Sequence, residues 1–142
     1  MKRSASAVWK GSLKDGGGAL SSPSGVLDDT PYSFKTRFGE GVTGTNPEEL
    51  IAAAHAGCFT MALSNALSQA GHPPTEIDTT ATVQLDQVEG GFSISKVDLV
   101  TKATVPGVTA DEFASFAKGA KENCPVSKLL KAEITLDAKL AG

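Results

Sequence analysis

The chain contains two cysteines, Cys58 and Cys124, whose settings in the sequence differ. Cys124 directly precedes Pro125, and because proline suits the first position of a helix, the Cys124 thiol would lie at a helix N-terminus. The free N–H groups and the positive end of the helix dipole there favour a thiolate. Cys58 lies in the middle of a long helical pattern, where its thiolate would need a cation from elsewhere. Both are candidates for redox chemistry, although most free cysteines are small buried hydrophobic residues.

Metal binding is a second option, because His55 and Cys58 lie three residues apart on one helical face. A third ligand could come from Cys124 or His72. Zinc sites usually show closely spaced Cys and His pairs in two clusters, and this sequence lacks them. We therefore expect no metal ion, and we expect His55 to pack against a neighbouring hydroxyl or carbonyl group.

Two charged residues, Glu48 and Arg37, are weaker candidates. Glu48 is adjacent to Glu49, which already has a role as the partner of a helix N-cap. Glu48 has no such role, although the helix dipole favours any acidic residue in a first turn. Arg37 precedes a glycine-rich connection, and a lone arginine of this kind is most often a solvated strand residue. The residues alone leave both interpretations open.

A long helix carries Cys58. Asn46 suits its N-cap and Pro47 its first position. Glu49 follows three residues after the cap, so the side chains of Asn46 and Glu49 would satisfy each other's backbone N–H groups. Gly71 permits a left-handed C-cap at the other end. The sequence predicts one helix over residues 46–71.

This helix is apolar on nearly all sides. Residues 50–72 contain no Asp, Glu, Lys or Arg, and a helix of this kind is buried on nearly every side. A membrane span is the competing interpretation, but the segment carries His55 and Asn65 and lacks basic or aromatic flanks. We therefore expect no membrane insertion, and we expect a sheet or a second copy of the chain to cover the helix.

The remaining elements are predicted from alternation, turn signals and helix caps. Strands are expected at residues 5–10, 19–22, 30–38, 76–88, 92–105 and 134–140, with a hairpin turn at 89–91 and a bulge near Ser95 and Lys96. A capping box of Thr109 and Glu112 begins a helix that runs to about residue 122, and a shorter helix follows from Pro125. The order predicts an α+β protein with mostly antiparallel strands packed on the long buried central helix.

The size and composition are those of one soluble domain, residues 1–142. Forty per cent of the residues are apolar and twenty per cent are charged, which excludes a disordered chain. The net charge of −3, with scattered lysines and arginines, argues against nucleic-acid binding. The first residues show no signal-peptide pattern, so we expect a cytoplasmic protein.

Four segments resemble one known family. NPEELIAAAHAGCF at residues 46–59 and NCPVSKLL at residues 123–130 resemble the two cysteine motifs of the OsmC/Ohr family of thiol-dependent peroxidases. TPYSFKTRF at residues 30–38 and KAEITLDAKL at residues 131–140 fit the OsmC branch better than the Ohr branch. The resemblance runs along the whole chain. It implies a single OsmC-like α+β domain that forms an intertwined homodimer with active sites at the interface.

The resemblance also assigns residue roles. It makes Cys58 the thiolate that attacks the peroxide and Cys124 the thiol that resolves the sulfenic acid into an intramolecular disulfide. The family's glutamate, ten residues before the first cysteine, corresponds to Glu48, and its arginine corresponds to Arg37. Arg37 would supply the cation that Cys58 needs, since a guanidinium keeps its charge, and Glu48 would orient it through a bidentate pair.

The implied function is reduction of organic hydroperoxides, an oxidative-stress activity that needs no metal or prosthetic group. An external dithiol, which the family suggests is a protein-bound dihydrolipoyl group, would reduce the disulfide. Four apolar residues are expected to line the site and favour alkyl hydroperoxides: Leu50, Ile51, Phe59 and Met61. The alternative is a non-enzymatic dimer that binds hydrophobic ligands or acts in stress, in which the cysteines only pack in the core.

Helix geometry adds a constraint on this site. Glu48 and Cys58 are ten residues apart, which places them ~15 Å apart along one helix. A glutamate side chain does not span that distance. Two solutions remain: Arg37 is long enough to bridge part of the gap, or Glu48 comes from a second copy of the chain whose helix runs alongside. We expect the second, which also explains the burial of the helix on all sides.

Overall fold

A computed structural model describes residues 1–141 of the chain. Its contacts group the chain into two units, Met1–Leu50 and Ile51–Gly142. Each unit has its own three-stranded sheet, and they are described separately below. That the whole chain forms one domain stays a prediction.

The sheet of the first unit is antiparallel, with β2 in its centre. It consists of β1 (Ser6–Lys10), β2 (Gly17–Ser21) and β3 (Thr30–Tyr32). Gly18 pairs with both Trp9 and Tyr32, whose rings meet edge to face at 5.3 Å. A Cβ atom on Gly18 would lie 2.4 Å from the Tyr32 ring, so only glycine leaves room for this packing.

The strand predicted over residues 30–38 is wrong beyond Tyr32, because a short helix, α1 (Phe34–Phe38), follows. Ser33 caps this helix: its hydroxyl accepts from the Thr36 N–H at 3.1 Å, while the Thr36 hydroxyl accepts from the Ser33 N–H at 2.7 Å. This capping box outweighs the alternation of polar and apolar residues that suggested a strand. Arg37 therefore lies in the last turn of a helix.

The long helix, α2 (Pro47–Gln69), begins where predicted. The Asn46 side chain accepts a hydrogen bond from the Glu49 N–H at 2.8 Å, which confirms the N-cap. The expected return bond from Glu49 is wrong, since its carboxylate accepts from the Thr45 hydroxyl at 2.8 Å instead. Gly71 has φ of +86°, the left-handed conformation predicted for the C-terminal end.

One face of α2 is buried within the chain. The buried residues recur every four positions: His55, Phe59, Leu63 and Leu67. The opposite face, with Ala53, Gly57, Met61 and Asn65, is exposed.

The length and composition of α2 would also allow it to span a membrane, but the core helices of soluble proteins meet the same criteria. The other buried apolar residues of this core come from β5, α3 and the loops that flank them: Val97, Leu99, Ala103, Val105, Phe113, Ala117, Ala120 and Cys124.

The sheet of the second unit contains a long hairpin and a parallel edge strand. The hairpin joins β4 (Glu76–Val88) and β5 (Gly91–Thr104), and β6 (Glu133–Leu140) pairs with β5 in parallel. Gln84 pairs with Lys96 and Leu85 with Ile94, so Ser95 is the extra residue of a bulge. This confirms the predicted bulge, which keeps the inner face apolar on both sides of the irregularity.

Two helices connect β5 to β6. A capping box of Thr109 and Glu112 begins α3 (Ala110–Asn123), as predicted. Cys124 ends α3 and is also the N-cap residue of α4 (Pro125–Leu129), with Pro125 at the first position. Three of the four pairings between described strands are antiparallel. The predicted α+β class is confirmed, with α1 as the element that the prediction missed.

Candidate active site

The two cysteines of the second unit are neighbours. Cys58 lies near the middle of α2 and is partly exposed, while Cys124 lies at the junction of α3 and α4 and is fully buried. Both are free thiols, and the two side chains are close enough to interact. That these two thiols form a disulfide upon oxidation stays a prediction.

The surroundings of Cys58 act on its thiol in opposite directions. Burial raises its pKa above the ordinary value, and the neighbouring Cys124 thiol adds to that rise. A hydrogen bond from the Val126 backbone N–H lowers the pKa by a smaller amount. Within the second unit, therefore, Cys58 is held as a thiol, and its ionisation needs a further positive charge.

The interaction of Cys58 with a backbone N–H of α4 corrects the sequence-based view of the two thiols. Helix-terminus chemistry favoured Cys124, and Cys58 was expected to receive no such help. Instead, Cys124 makes no capping hydrogen bond with its side chain. The amide of Val126, in the first turn of α4, interacts with Cys58. Only the packing of α4 against α2 decides which sulfur receives this N–H.

Beside the thiols, a buried hydrogen bond of 2.8 Å joins His55 Nε2 to Ser127 Oγ. It confirms the expectation that His55 packs against a hydroxyl group. Burial lowers the pKa of His55, so the ring is neutral near pH 7. The other ring nitrogen, Nδ1, has no hydrogen-bond partner among the described residues. Within residues 1–141, no group of three His, Cys, Asp or Glu residues is arranged to hold a metal ion.

The first unit contains an ion pair between Arg37 on α1 and Glu48 in the first turn of α2. One guanidinium Nη lies 2.6 Å from a Glu48 oxygen, and Nε donates to both carboxylate oxygens at 3.1 and 3.2 Å. The hydrogen bond from Glu48 raises the pKa of Arg37, which is therefore always charged. The structure thus contains the bidentate pair, while its part in the reaction stays a prediction.

Local structure explains why Glu48 and not Glu49 holds Arg37. Glu49 is occupied at the helix start, where its N–H donates to Asn46 and its carboxylate accepts from Thr45. Glu48 carries no capping bond, and its side chain is only 13% exposed. The guanidinium carbon of Arg37 also lies 5.4 Å from the Phe38 ring centre. The ion pair and the ring contact therefore hold the guanidinium in one orientation.

Two of the four residues of the expected apolar lining differ strongly in burial, and that the four line a site stays a prediction. Phe59 is 0% exposed and belongs to the hydrophobic core. Met61 is 75% exposed, on the opposite side of α2 from the buried stripe. The sequence did not distinguish the faces of a helix that is apolar all round. It also did not single out Val126, because a backbone N–H leaves no pattern in the sequence.

The fold and the thiol pair define an α+β protein with two free cysteines at neighbouring helices. A sequence profile described as "OsmC-like protein" matches residues 39–139. The chain therefore belongs to the OsmC-like protein family.

Similar proteins agree with this assignment. Over 134 residues the chain is 57% identical to "Peroxiredoxin OsmC" of Escherichia coli K12, covering 94% of this chain and 93% of that protein. It is 34% identical to "Organic hydroperoxide resistance protein OhrB" of Bacillus subtilis, covering 87% and 88%. The higher identity to the OsmC protein confirms the predicted branch.

Solved structures share the fold. The crystal structure of Bacillus subtilis OhrB superposes with a TM-score of 0.73 at 28% identity, covering 97% of this chain and 98% of that one. An OsmC-like protein of unknown function from Vibrio cholerae gives a TM-score of 0.78 at 17% identity, covering 97% and 99%. The second likeness shows the fold alone.

Proposed function

We propose that this protein is a thiol peroxidase that reduces organic hydroperoxides to alcohols. The observation that carries the proposal is the Cys58–Cys124 thiol pair in a chain of the OsmC-like family. The predicted enzyme class, a peroxidase, is confirmed by relatives named a peroxiredoxin and an organic hydroperoxide resistance protein. The substrate, the recycling and the roles of individual residues are part of the proposal.

In the first step, the Cys58 thiolate attacks the distal oxygen of the hydroperoxide. The S–O bond forms as the O–O bond breaks, and the leaving alkoxide takes up a proton and departs as the alcohol. Cys58 becomes a sulfenic acid. Cys58 is assigned this step because it is the more exposed of the two thiols and receives the Val126 N–H, whereas Cys124 is fully buried.

In the second step, the Cys124 thiol displaces the hydroxyl group of the Cys58 sulfenic acid, which forms the disulfide and releases water. An external dithiol then reduces the disulfide and becomes a disulfide itself, which restores both thiols. We propose a protein-bound dihydrolipoyl group as this dithiol. No metal or prosthetic group takes part, and we place the reaction in the cytoplasm.

Ionisation of Cys58 requires a cation, and we propose Arg37 for this role, oriented by Glu48. Burial and Cys124 raise the pKa of Cys58, and a guanidinium near the sulfur would reverse that rise. Because α2 is one continuous helix, Glu48 lies ~15 Å from Cys58 along the axis. We therefore propose that the cation reaches Cys58 from a second chain, whose Arg37 and Glu48 arrive together as one ion pair.

A homodimer follows from this proposal, and α2 offers the surface for it. Its exposed face carries small residues at Ala53 and Gly57, followed by Met61. A Cβ atom on Gly57 would meet no atom within 4 Å, so this part of the helix is open within one chain. Small residues permit two helices to approach closely. A second α2 packed here would cover the apolar face that one chain leaves exposed.

The test is the fate of the two thiols in the purified protein. One equivalent of cumene hydroperoxide should convert two free thiols to none, with one alcohol released and no covalent link between chains. Cys58→Ser should abolish peroxide consumption. Cys124→Ser should allow one turnover and then leave a sulfenic acid that is open to further oxidation.

The two cysteine variants can also contradict the proposed roles of Cys58 and Cys124. If Cys124→Ser blocks the first oxidation and Cys58→Ser does not, the roles are reversed. If both thiols of the wild-type protein persist in the presence of the hydroperoxide, the alternative of a non-enzymatic binding dimer takes the place of the peroxidase.

A further inference from the structure

We infer that His55 and Ser127 form a positioning pair that holds Cys124 in place to resolve the oxidised Cys58. The inference rests on the proposed function, because it concerns the second step of that reaction. Neither residue reacts with the substrate. Their part is to fix the first turn of α4, which begins at Cys124, against the turn of α2 that carries Cys58.

The contacts between the two helices fall into two groups. Cys58 interacts with the Cys124 thiol and with the Val126 N–H. One turn earlier on α2, His55 Nε2 bonds to Ser127 Oγ at 2.8 Å. His55 lies three residues before Cys58, and Ser127 lies three residues after Cys124. The first turn of α4 is therefore attached to α2 at two points, one of which is the reacting pair.

The burial of this hydrogen bond indicates a specific role. His55 is 0% and Ser127 9% exposed, and Thr101 is the only other buried polar residue among the described residues of the second unit. Nδ1 of His55 is buried and has no hydrogen-bond partner among the described residues. An apolar side chain at position 55 would fill the same space without this unpartnered nitrogen. A buried polar atom without a partner costs stability, and such costs persist where the group has a function.

The position of α4 matters because Cys124 is its N-cap residue. The helix has five residues, Pro125–Leu129, and the Cys124 side chain makes no capping bond. Resolution requires the Cys124 sulfur to reach the Cys58 sulfur within disulfide geometry. Without the bond from His55 to Ser127, the first turn of α4 would sample other orientations, and the effective concentration of one thiol at the other would fall.

The test measures that effective concentration without any peroxide. The reduced protein is equilibrated with mixtures of reduced and oxidised glutathione, and the Cys58–Cys124 disulfide is quantified by mass spectrometry after alkylation. Ser127→Ala and His55→Phe should each lower the effective concentration about 2- to 10-fold, the factor expected for one hydrogen bond. The double variant should lower it no further than either single change. His55→Gln, whose side-chain nitrogen can replace Nε2, should restore most of the loss.

Thr60→Val is the matched control. Thr60 also lies on α2 and donates a 2.9 Å hydrogen bond to another hydroxyl, that of Thr79 on β4. It therefore reports the general cost of removing one such bond from α2. Thr60→Val should lower the melting temperature while leaving the effective concentration unchanged.

Cumene hydroperoxide in excess provides the second readout. A sulfenic acid that is resolved slowly reacts with a second hydroperoxide, giving a sulfinic acid and another alcohol. The sulfinic fraction at Cys58 should rise in Ser127→Ala and in His55→Phe when it is compared with wild type at an equal extent of first oxidation.

Two results would overturn the inference. One is a wild-type effective concentration in Ser127→Ala, which removes a single oxygen atom and keeps the test valid even if His55→Phe does not fold. The other is an equal loss in Thr60→Val. A wild-type protein that forms the disulfide with glutathione but does not react with cumene hydroperoxide would contradict the proposed function and leave the positioning pair standing.

Discussion

Cys58 is held as a thiol by its own unit, since burial and the Cys124 side chain raise its pKa more than the Val126 N–H lowers it. The only ion pair described in the first unit holds Arg37 as a permanent cation. At the scale of single residues, the proposed reaction therefore depends on bringing that cation to the sulfur.

Arg37→Met should raise the pKa of Cys58, because the raising influences then act without a cation to oppose them. The pH dependence of alkylation by iodoacetamide should shift to higher pH, and the rate of peroxide attack near pH 7 should fall about 10-fold for each pKa unit of the shift. Stopped-flow kinetics and thiolate absorbance measure the two effects.

Lys35→Met is the matched control, because Lys35 lies on the same helix, carries the same charge and is exposed. It should leave the alkylation profile unchanged. If Lys35→Met and Arg37→Met shift the profile equally, the effect comes from general charge and not from a guanidinium at the site.

His55 should make the protein less stable in acid. Its pKa in the folded protein is lowered from the ordinary 6.5, so the unfolded chain takes up the proton first as the pH falls. The free energy of unfolding should therefore decrease as the pH drops from about 6.5 to the lowered pKa of His55, and should level off below it. Urea unfolding at a series of pH values measures this decrease.

His55→Gln tests this prediction, because glutamine does not titrate. In this variant the free energy of unfolding should no longer decrease below pH 6.5 on account of position 55. His72→Gln controls for the loss of a histidine elsewhere. An identical pH dependence in wild type and His55→Gln would exclude His55 as the cause.

At the scale of elements, the junction of α3 and α4 positions the second thiol. Cys124 ends one helix and precedes the other, and its N–H donates to the Ala120 carbonyl at 2.9 Å. The position of Cys124 thus depends on α3, which the capping box of Thr109 and Glu112 fixes at its start.

Thr109→Ala should lower the free energy of unfolding by about 1 kcal/mol, the usual cost of losing an N-cap side chain. Urea denaturation followed by circular dichroism measures the change. Ser115→Ala, an exposed position within the same helix, is the control and should not destabilise the protein. Equal stabilities of Thr109→Ala and wild type would show that the cap contributes nothing to α3.

At the scale of the whole molecule, the exposed face of α2 is the proposed dimer surface. Met61→Lys places a charge on that face, at a side chain that is 75% exposed in one chain, so the chain itself should fold normally. The dimer should dissociate, which analytical ultracentrifugation measures. Val100→Lys is the control: Val100 is 50% exposed on β5, between the buried Leu99 and Thr101, and should leave the dimer intact. A monomeric wild-type protein would contradict the proposal.

Complementation tests whether each site draws on two chains. A Cys58→Ser chain retains Arg37 and Glu48, and an Arg37→Met chain retains both cysteines. Their heterodimer should contain one intact site if the ion pair acts on the partner's thiol, and none if it acts within its own chain. Activity well above that of either parent homodimer is expected after chain exchange. A mixture no more active than the average of its parents, with exchange verified by native mass spectrometry, would rule out the shared site.

Local signals in the sequence determined much of this protein. The caps at Asn46 and Thr109, the proline after Cys124 and the bulge near Ser95 were predicted correctly, because each depends on a few neighbouring residues. The two cysteine motifs also identified the family, which the sequence profile confirms. The strand expected beyond Tyr32 was wrong, since a capping box between Ser33 and Thr36 replaced it with α1.

Tertiary structure alone decided the rest, because those features join residues that are distant in the sequence. The hydrogen bond between His55 and Ser127 spans 72 positions, and the N–H that interacts with Cys58 comes from α4. The buried stripe of α2 was equally hidden, since a helix that is apolar all round carries no signal of which face meets the sheet. The sequence named the two thiols, and packing determined which of them receives the amide.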